Sequence, residues 1–562
     1  MLASRGPWPP LGAIMWGAMM LPWLNPFAPG PLPPTVQSLF TLVCAALLLG
    51  LKSLGRETDF SAAVAGAWIA AALLSCMIGL LQYFGVGDAL SPWVSTTAAG
   101  EAFANLRQRN QFATLTNIGL AALLWWSVRQ RASADLTPAG ARARKTGKSY
   151  ETWVAAAAVS STSTAFAALL AIGNASSSSR TGLLQLVMLI ALAAWWGGWQ
   201  RPDVRRIMLV SALAYALASA VLPLLAGLDP SSTGIMARLH DGGPACSSRL
   251  VLWRNVMDLI ALKPWLGWGW GELDFAHFTT LYAGPRFCEI LDNAHNLPLH
   301  LAVELGVPVA LLISGAGLWL VWRAQPWRER DATRQMAWSV LALIMLHSML
   351  EYPLWYGPFQ MAFGLCIGLL WRRPAVSKTA AAAAEPTPTP TPTASASASA
   401  TATLPSPSPS TATFTAKLAK TPSNQPLALV LSAWIAILII VFAAYAAWDY
   451  HRVSQIYLPP EDRSPAYRSN TLAKIQGSWL FQNQVRFAKL TTTRLTPDNA
   501  SEINALAHDL LHFSPEARVA EKLIDSARLL GRLDEAQYFE DRYRAAFPQE
   551  HANWVKANAA RR

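Results

Sequence analysis

Residues 62–84, AAVAGAWIAAALLSCMIGLLQYF, decide the fold class of this chain. The stretch carries no charged side chain, and a helix needs about 20 apolar residues to cross the hydrocarbon core of a bilayer. Ten further apolar runs occupy residues 11–24, 36–54, 111–128, 153–173, 181–199, 207–227, 297–322, 336–351, 358–371 and 427–447. The sequence therefore predicts an all-α polytopic membrane protein with about eleven transmembrane helices. The runs 11–24 and 358–371 are short and could instead be tilted or re-entrant.

The composition favours a membrane protein and argues against nucleic-acid binding. Of the 562 residues, 53% are hydrophobic and 14% are charged, whereas about 25% of the residues of a typical soluble protein are charged. Much of the net charge of +12 lies in short loops between apolar runs, where Lys and Arg set the orientation of transmembrane helices. We therefore expect a lipid bilayer and no nucleic acid as partner. The first run is interpreted as a retained span rather than a cleaved signal peptide.

Four basic loops determine the predicted orientation. These loops are residues 129–152, 201–206, 323–335 and 372–373. All four lie on one side of the membrane if there are eleven spans, and basic loops mark the cytoplasmic side. The N-terminus is then cytoplasmic and the C-terminal tail lies on the opposite side. That opposite side also carries residues 25–35, 85–110, 174–180 and 228–296.

Shifts in composition divide the chain into four segments. They are a multi-span membrane domain at 1–373 with a large loop at 228–296, a linker rich in Ala, Pro, Ser and Thr at 374–426, a last transmembrane helix at 427–447, and a helical domain at 448–562. The linker cannot bury enough apolar surface to order itself, so we predict that it is disordered. A glycosylated stalk is the alternative, but the predicted topology places the linker in the cytoplasm.

The C-terminal domain contains the amphipathic stretch SPEARVAEKLIDSARLLGRLDEAQYFEDRYRAAFP at residues 514–548. Its pattern predicts two helices with a turn at Gly531 and with Pro515 near the start. The hairpin looks like one degenerate tetratricopeptide-type repeat. Such repeats normally stack in several copies, so a small soluble helical cap is favoured over a peptide-binding groove.

Cationic side chains recur on the side opposite the basic loops. In RQRNQFAT, Arg107, Arg109 and Asn110 lie at the mouth of the fourth span. Helix-end anchoring is one interpretation, although the other anchors of this chain lie on the cytoplasmic side. In SSSSRTG, the small neighbours of Arg180 let a bulky anion approach its guanidinium and the helix N-terminus behind it. The alternative for Arg180 is snorkelling to the lipid headgroups.

The long loop adds two arginines and a histidine. Arg249 and Arg254 lie on RLVLWRNVMDLIALKPWLGWGWG, whose glycines predict a tight turn rather than a dinucleotide site, because no strand precedes them. In DNAHNLPLHLAVELGVP, Asn296 is the expected N-cap, which leaves His295 just before the eighth span. The positive end of that helix would lower the pKa of His295 and favour the neutral imidazole, which is a suitable general base. The alternative is that His295 contributes only packing.

The motif HSMLEYPLWYG closes the ninth span with Glu351 and Tyr352. An aromatic belt at the membrane surface explains the tyrosine, but it does not explain a glutamate four residues after His347. Glu351 and Tyr352 are therefore predicted to bind substrate. The His and Asp residues of the long loop follow no HxxxH or CxxC spacing, so neither a metal nor a cofactor is predicted.

At these motifs the chain resembles the O-antigen ligase superfamily and, within it, the protein O-oligosaccharyltransferases (pilin glycosylation ligases). The resemblance rests on RQRNQFAT, SRTG, RLVLWRNVMDLIALKPWLGWGWG, AHNLPLHLAVELGVP and HSMLEYPLWY, with a weaker echo at DYHRVSQIYL. It implies metal-independent, inverting transfer of an oligosaccharide from an undecaprenyl-pyrophosphate donor at the periplasmic face of the bacterial inner membrane. It also implies that His295 is the essential loop histidine and that Arg180 and Arg249 bind the pyrophosphate.

The acceptor is less constrained than the donor. RQRNQ and the C-terminal domain favour the protein-glycosylating branch, in which Ser or Thr of a periplasmic protein such as pilin receives the glycan. Transfer to lipid A-core and polymerisation of O-antigen repeats are the alternatives within the superfamily. A lipid-linked glycan transporter is the alternative outside it, but internal repeats with broken helices, typical of transporters, are absent from the sequence.

Cys246 and Cys288 are the cysteines outside the apolar runs, and both lie in the long loop. The predicted topology puts them in the oxidising periplasm, where disulfides persist. A bond between them would hold Arg249 near His295. Two free thiols are the alternative.

Overall fold

The computed structural model describes residues 10–26, 33–53, 59–106, 108–135, 150–229, 233–235, 238, 245–371 and 425–561. All regular secondary structure in these ranges is helical, which confirms the all-α fold class. Residues 374–424 of the predicted linker, the middle of the basic loop 129–152, and Arg107 lie outside the described residues.

Fourteen α-helices occupy the described residues up to Ser454. They are α1 (Pro10–Leu24), α2 (Pro33–Ser53), α3 (Phe60–Tyr83), α4 (Arg109–Asp135), α5 (Tyr150–Ser176), α6 (Arg180–Trp195), α7 (Pro202–Leu225), α8 (Arg249–Leu262), α9 (Leu273–Thr279), α10 (Leu297–Leu305), α11 (Val307–Ala324), α12 (Ala332–Ser348), α13 (Gly357–Trp371) and α14 (Gln425–Ser454).

Every predicted span overlaps at least one of these helices. Within the described residues, four stretches are long and apolar enough to cross a membrane: Phe60–Tyr83, Pro202–Leu225, Val307–Arg328 and Leu429–Tyr457. Shorter apolar helices accompany them, at Gly12–Leu24, Thr35–Leu51, Arg180–Trp195 and Gly357–Trp371. The chain is thus a helical membrane protein, and the number of eleven spans stays a prediction.

Helix α4 lies at the centre of the bundle and packs against α3, α5, α6 and α12. Small residues permit this close approach, since a Cβ at Gly119 would lie 2.5 Å from the Cβ of Ala72. Close backbone contacts at glycine are typical of helix packing in membranes. The N-terminal turns of α4 are thereby held against α6 and α12, where the polar residues of the candidate site meet.

The predicted span 297–322 is two helices rather than one, which corrects the sequence interpretation. Helix α10 ends at Leu305, α11 begins at Val307, and Gly306 between them has φ +88°. A Cβ at Gly306 would lie 2.2 Å from the carbonyl oxygen of Trp265, so only glycine fits this break. Pro308 has no N–H group to continue the hydrogen bonds of α10, but it fits the first turn of α11.

The glycine-rich turn after α8 forms hydrogen bonds with the backbone N–H and C=O groups that are left unpaired at the break between α10 and α11. The N–H groups of Trp268 and Gly269 donate to the last carbonyls of α10 at 2.9 and 3.0 Å, and the N–H of Val307 donates to Pro264 at 2.8 Å. Non-helical backbone at membrane depth needs such partners from the protein. The tight turn predicted from the glycines is therefore part of the packing of the membrane domain.

Six helices follow the last apolar helix in the described part of the chain. They are α15 (Thr471–Ile475), α16 (Gln482–Thr492), α17 (Ala500–Leu511), α18 (Ala517–Leu529), α19 (Leu533–Ala546) and α20 (Pro548–Arg561). The predicted hairpin is present, since α18 and α19 flank Gly531, which has φ +72°. Leu510, Leu523 and Tyr543 are buried in the separate core of this domain. The likeness to a tetratricopeptide repeat stays a prediction.

Candidate active site

Glu351, just after α12, is the centre of a buried polar cluster. Its carboxylate accepts hydrogen bonds from Arg249 Nη2 at 3.0 Å, from His347 Nε2 at 3.1 Å, and from the side-chain amides of Gln108 and Asn110. The ion pair with Arg249 and the hydrogen bond from His347 favour the charged form of this buried carboxylate. The carboxylate is thus occupied by protein donors, and in this arrangement it positions side chains.

A second layer of polar residues extends from His347 into the bundle. The hydroxyl oxygen of Thr114 lies 3.0 Å from His347 Nδ1 and 3.0 Å from Gln185 Oε1. Gln185 Nε2 in turn donates to the carbonyl of Leu343 at 2.9 Å. Fully paired buried networks select one packing arrangement. This one fixes the ring of His347 and, through it, the carboxylate of Glu351.

The same cluster fixes the start of α6, which carries Arg180. The Ser179 hydroxyl donates to Asn110 Oδ1, and Ser179 Oγ accepts the N–H of Gly182 at 2.9 Å as the N-cap of α6. Arg180 is exposed at the first position of this helix, where unpaired N–H groups and the helix dipole favour an anion. Asn110 therefore links Glu351 to the helix end that presents Arg180.

Arg238 is a fourth arginine at this site, and no motif in the sequence pointed to it. Its Nη1 donates to the carbonyl of Ser178 at 3.2 Å. Burial lowers the pKa of Arg238, and the positive charges of Arg109, Arg180 and Arg249 lower it further. Arg109, Arg180 and Arg249 thus lie near enough to Arg238 for their charges to act on it.

Two of these four arginines are neutralised by carboxylates. Glu101 forms an ion pair with Arg109, and Glu351 forms one with Arg249. Among the described residues, no carboxylate lies within ion-pair distance of the other two. The site thus keeps an excess of positive charge, which attracts a multiply charged anion.

Arg254 does not belong to this group. It is exposed on α8 beside Gly284, whereas Arg249 at the start of the same helix reaches Glu351. Five residues separate the two arginines, which corresponds to about 140° around the axis of an α-helix. The other arginines predicted from the sequence and contained in the described residues lie together at the site.

His295 lies beside the cluster, directly before α10. Its ring meets that of Tyr352 edge to face with 5.1 Å between centroids. Its backbone has φ +50°, a conformation that is uncommon for a residue with a Cβ and that persists only where the surroundings enforce it. Burial lowers the pKa of His295, the charge of Glu351 opposes this, and the charge of Arg249 adds to it. The predicted direction agrees, and burial is the largest cause.

Contacts on both sides hold His295 in place. Asn296 is the N-cap of α10, as predicted, and its Nδ2 donates to the carbonyl of Met349 at 3.1 Å. On the other side, Trp253 Nε1 donates to the carbonyl of Ala294 at 3.1 Å. The histidine is therefore tied both to α8 and to the segment that leads to Glu351.

The structure contains the disulfide predicted between Cys246 and Cys288, with 5.4 Å between their Cα atoms. Cys246 lies shortly before Arg249, and Cys288 lies in the segment that leads to His295. The bond joins the start of α8 to this segment. In chain-entropy terms, a closure over a sequence separation of 42 residues stabilises the fold by about 4 kcal/mol.

His277, the other described histidine of the long loop, contacts residues of the same loop. His277 Nδ1 lies 2.8 Å from the hydroxyl of Tyr282, and Nε2 lies 3.1 Å from the carbonyl oxygen of Phe287. Burial lowers the pKa of His277 to about 3, so it is neutral. In the described part of the chain, no three His, Cys, Asp or Glu side chains are grouped to hold a metal ion. His240 lies outside that part.

Three known families match successive parts of the chain. Residues 102–126 match the family described as "Protein glycosylation ligase", and residues 165–314 match "O-Antigen ligase". Residues 335–406 and 409–561 match "Virulence factor membrane-bound polymerase, C-terminal". These ranges include Glu351 and all four side chains that donate to it, namely Gln108, Asn110, Arg249 and His347.

Two proteins of Acinetobacter baylyi are similar to this chain. The "General O-oligosaccharyltransferase" is 25% identical over 314 residues, which cover 54% of this chain and 49% of the relative. The "ComP-specific O-oligosaccharyltransferase" is 25% identical over 279 residues, which cover 49% of this chain and 45% of the relative. The chain thus spans about half the length of these relatives. By these family matches and relatives, the chain is similar to the O-antigen ligase superfamily and, within it, to the protein O-oligosaccharyltransferases.

Proposed function

We propose that this protein transfers an oligosaccharide from an undecaprenyl-pyrophosphate carrier to a hydroxyl group of an acceptor protein. The observation that carries the proposal is the set of contacts around the buried carboxylate of Glu351. Arg249 binds this carboxylate, Asn110 links it to the helix end that presents Arg180, and His295 lies against the adjacent Tyr352. Positively charged side chains that can bind a pyrophosphate and a neutral histidine that can act as a base are then neighbours. Glycosyl transfer from a pyrophosphate donor requires both. Both relatives are named as O-oligosaccharyltransferases, which supports the same reaction class here.

The arginines act on the leaving group. As the bond between the anomeric carbon and the phosphate oxygen breaks, negative charge grows on the pyrophosphate. Guanidinium groups bind two phosphate oxygens at once, and a preorganised cluster stabilises this charge without reorganising. Undecaprenyl pyrophosphate leaves with the bonding electrons, and no metal ion is needed for this step.

His295 acts on the acceptor. Its lowered pKa keeps the imidazole neutral near pH 7, so it can take the proton from a Ser or Thr hydroxyl as the oxygen attacks the anomeric carbon. Attack on the face opposite the leaving group inverts the configuration at that carbon. The protonated histidine then returns its proton to water, and the arginines remain unchanged.

The proposed reaction takes place at the periplasmic face of the bacterial inner membrane. The basic loops predict that the long loop and the residues around Glu351 lie on the side opposite the cytoplasm. The disulfide between Cys246 and Cys288 supports this orientation, because disulfides persist in the periplasm and are rare in the cytoplasm.

A gene deletion tests the proposal and separates it from its alternatives. Glycoproteins and lipopolysaccharide are compared on parallel gels from the deletion strain, with and without a plasmid copy of the gene. We expect glycoprotein bands to disappear while the lipopolysaccharide ladder is unchanged. Loss of the ladder with intact glycoproteins would instead assign the enzyme to lipid A-core ligation or to O-antigen polymerisation. Unchanged bands in both gels would contradict glycosyl transfer altogether.

A further inference from the structure

We propose that the C-terminal helical domain is a positioning element of the active site, which holds the loop segment that carries His295. The proposal rests on the proposed function for the role of His295. It assigns to the domain a partner within its own chain, namely residues 272–291 of the long loop. Two observations carry it, namely the contacts on α9 and a cavity that the domain shares with the segment leading to His295.

The contacts on α9 begin with an aromatic side chain from the loop. Phe278 on α9 is 2% exposed and is part of the hydrophobic core of the C-terminal domain. Its ring lies 6.4 Å from that of Phe547, centroid to centroid. Phe275, one turn earlier, stacks on the ring of His512 with 3.8 Å between centroids. A short helix of the long loop thus supplies part of the core of a domain that is distant in sequence.

Polar contacts hold both ends of the same short helix. At its start, His512 Nδ1 lies 2.6 Å from the carboxylate of Glu272. At its end, Arg542 Nε donates to the carbonyl of Thr279 at 2.7 Å. A helix of this length does not form by itself in water. The domain therefore fixes both the position and the conformation of α9.

The second observation concerns the loop beyond the disulfide. A small cavity between loop and domain is lined by Glu289, Ile290 and Leu291 on one side and by Pro515 and Phe547 on the other. Leu291 is buried in the core that also contains Ala294. The domain thus contacts the loop before Cys288 and faces it across this cavity after Cys288. The last lining residue, Leu291, lies four residues before His295.

The domain is also fixed to the last apolar helix, so it can act as a rigid support. Asp449 on α14 is fully buried and accepts hydrogen bonds from Ser478 Oγ at 2.9 Å, from the N–H of Leu480 at 3.1 Å and from Arg452 Nε at 2.9 Å. These bonds join the end of α14 to the first part of the domain. The motif DYHRVSQIYL, which includes Asp449, thereby gains a structural role.

This support matters because His295 has a positive φ, a conformation that the surrounding contacts must enforce. The arginines lie on α4, α6 and α8 and near Ser178, so they do not depend on the domain. Loss of docking should therefore release His295 and leave donor binding intact. If the domain only bound the acceptor protein, loss of docking would instead raise the KM for the acceptor and leave kcat unchanged.

The test uses the full-length double variant His512→Ala/Arg542→Ala, which removes both polar contacts with α9 and leaves the core of the domain intact. The matched control is His508→Ala/Arg486→Ala. It changes the same residue types, which pair inside the domain with Glu535 and Asp509. A second disrupting variant, Phe278→Ala, removes the apolar contact from the loop side.

Hydrogen–deuterium exchange and steady-state transfer kinetics are measured on all variants. For the double variant and for Phe278→Ala we expect faster exchange in residues 280–294 and a kcat lowered about tenfold or more, since small displacements of a catalytic group cost about this much or more. In the double variant, which leaves the core of the domain intact, exchange in α17–α19 should not change. The KM for the lipid-linked donor should not change. The control should match the wild-type protein in every measurement.

Unchanged exchange in 280–294 would overturn the proposal, as would faster exchange with a wild-type kcat. A raised KM for the acceptor with unchanged kcat would overturn it in favour of an acceptor-docking domain. Failure of the proposed function is distinguishable, because the wild-type protein would then transfer no glycan. The exchange measurement needs no substrate and would still decide whether the domain orders the loop.

Discussion

Replacing Glu351 by Gln should lower transfer strongly although the side chain keeps its size. The carboxylate accepts four hydrogen bonds, from Arg249, His347, Gln108 and Asn110. An amide has one acceptor oxygen, and its NH2 group would face donors. Some of the four donors therefore lose their acceptor, and the ion pair with Arg249 is lost in every orientation of the amide.

The expected effect follows from these lost bonds. A hydrogen bond to a charged group contributes about 1.5–3 kcal/mol, and two such bonds are lost in Glu351→Gln. Arg249 is about a third exposed, so it can turn to water and recover part of this energy. A net loss of about 3 kcal/mol in the positioning of the arginines corresponds to roughly a hundredfold lower kcat/KM, since about 1.4 kcal/mol is tenfold.

Purified wild-type and variant proteins are compared by initial rates of transfer from lipid-linked oligosaccharide to an acceptor protein. The matched control is Glu329→Gln, which breaks the ion pair with Arg334 at the other end of α12. That pair lies far from the site, so the control should keep its rate. A Glu351→Gln rate within about threefold of the wild type would refute the positioning role, because it corresponds to less than about 0.7 kcal/mol.

Three further predictions concern Arg180, the disulfide between Cys246 and Cys288, and the helix break at Gly306. Arg180→Lys keeps the charge but cannot bind two phosphate oxygens at once, so transfer should fall at least about tenfold, and a wild-type rate would remove the bidentate role. Cys246→Ser should lower the melting temperature and slow transfer, and Cys288→Ser and the double variant should give the same values. Alkylation of both cysteines in wild-type membranes without reductant would contradict the disulfide. Gly306→Ala should reduce the amount of folded protein, because its Cβ would clash with the backbone. Gly315→Ala, where the added Cβ meets no atom within 4 Å, should not. Equal fluorescence-detected elution profiles for the two variants would contradict the requirement for glycine between α10 and α11.

The helices were predictable because they depend on local properties of the sequence. Charge-free runs such as 62–84 mark helices by length alone. The cap at Asn296 and the turn at Gly531 followed from their residue types. The break at Gly306 was missed because hydropathy averages over a window, although a glycine two residues before a proline in GVP was a usable signal.

The polar network could not be derived in this way. Glu351 meets Asn110 and Gln108 across more than two hundred positions of sequence, and no local pattern encodes such contacts. Arg238 follows no motif, so its place among the arginines depends on the folded loop. Arg254 lies apart from Arg249 although both belong to one motif, because the helix turns the two side chains in different directions.

The central claim is that His295 removes the proton from the acceptor hydroxyl while the arginines hold the donor. The most direct test measures donor binding and transfer rate for purified His295→Ala, with His277→Ala as the matched control from the same loop. We predict unchanged donor affinity and a transfer rate lowered at least about a hundredfold, as for the loss of a general base. His277→Ala, which changes a residue that holds the loop but does not touch the substrate, should lose much less activity than His295→Ala. A His295→Ala rate close to that of the wild type would contradict the mechanism.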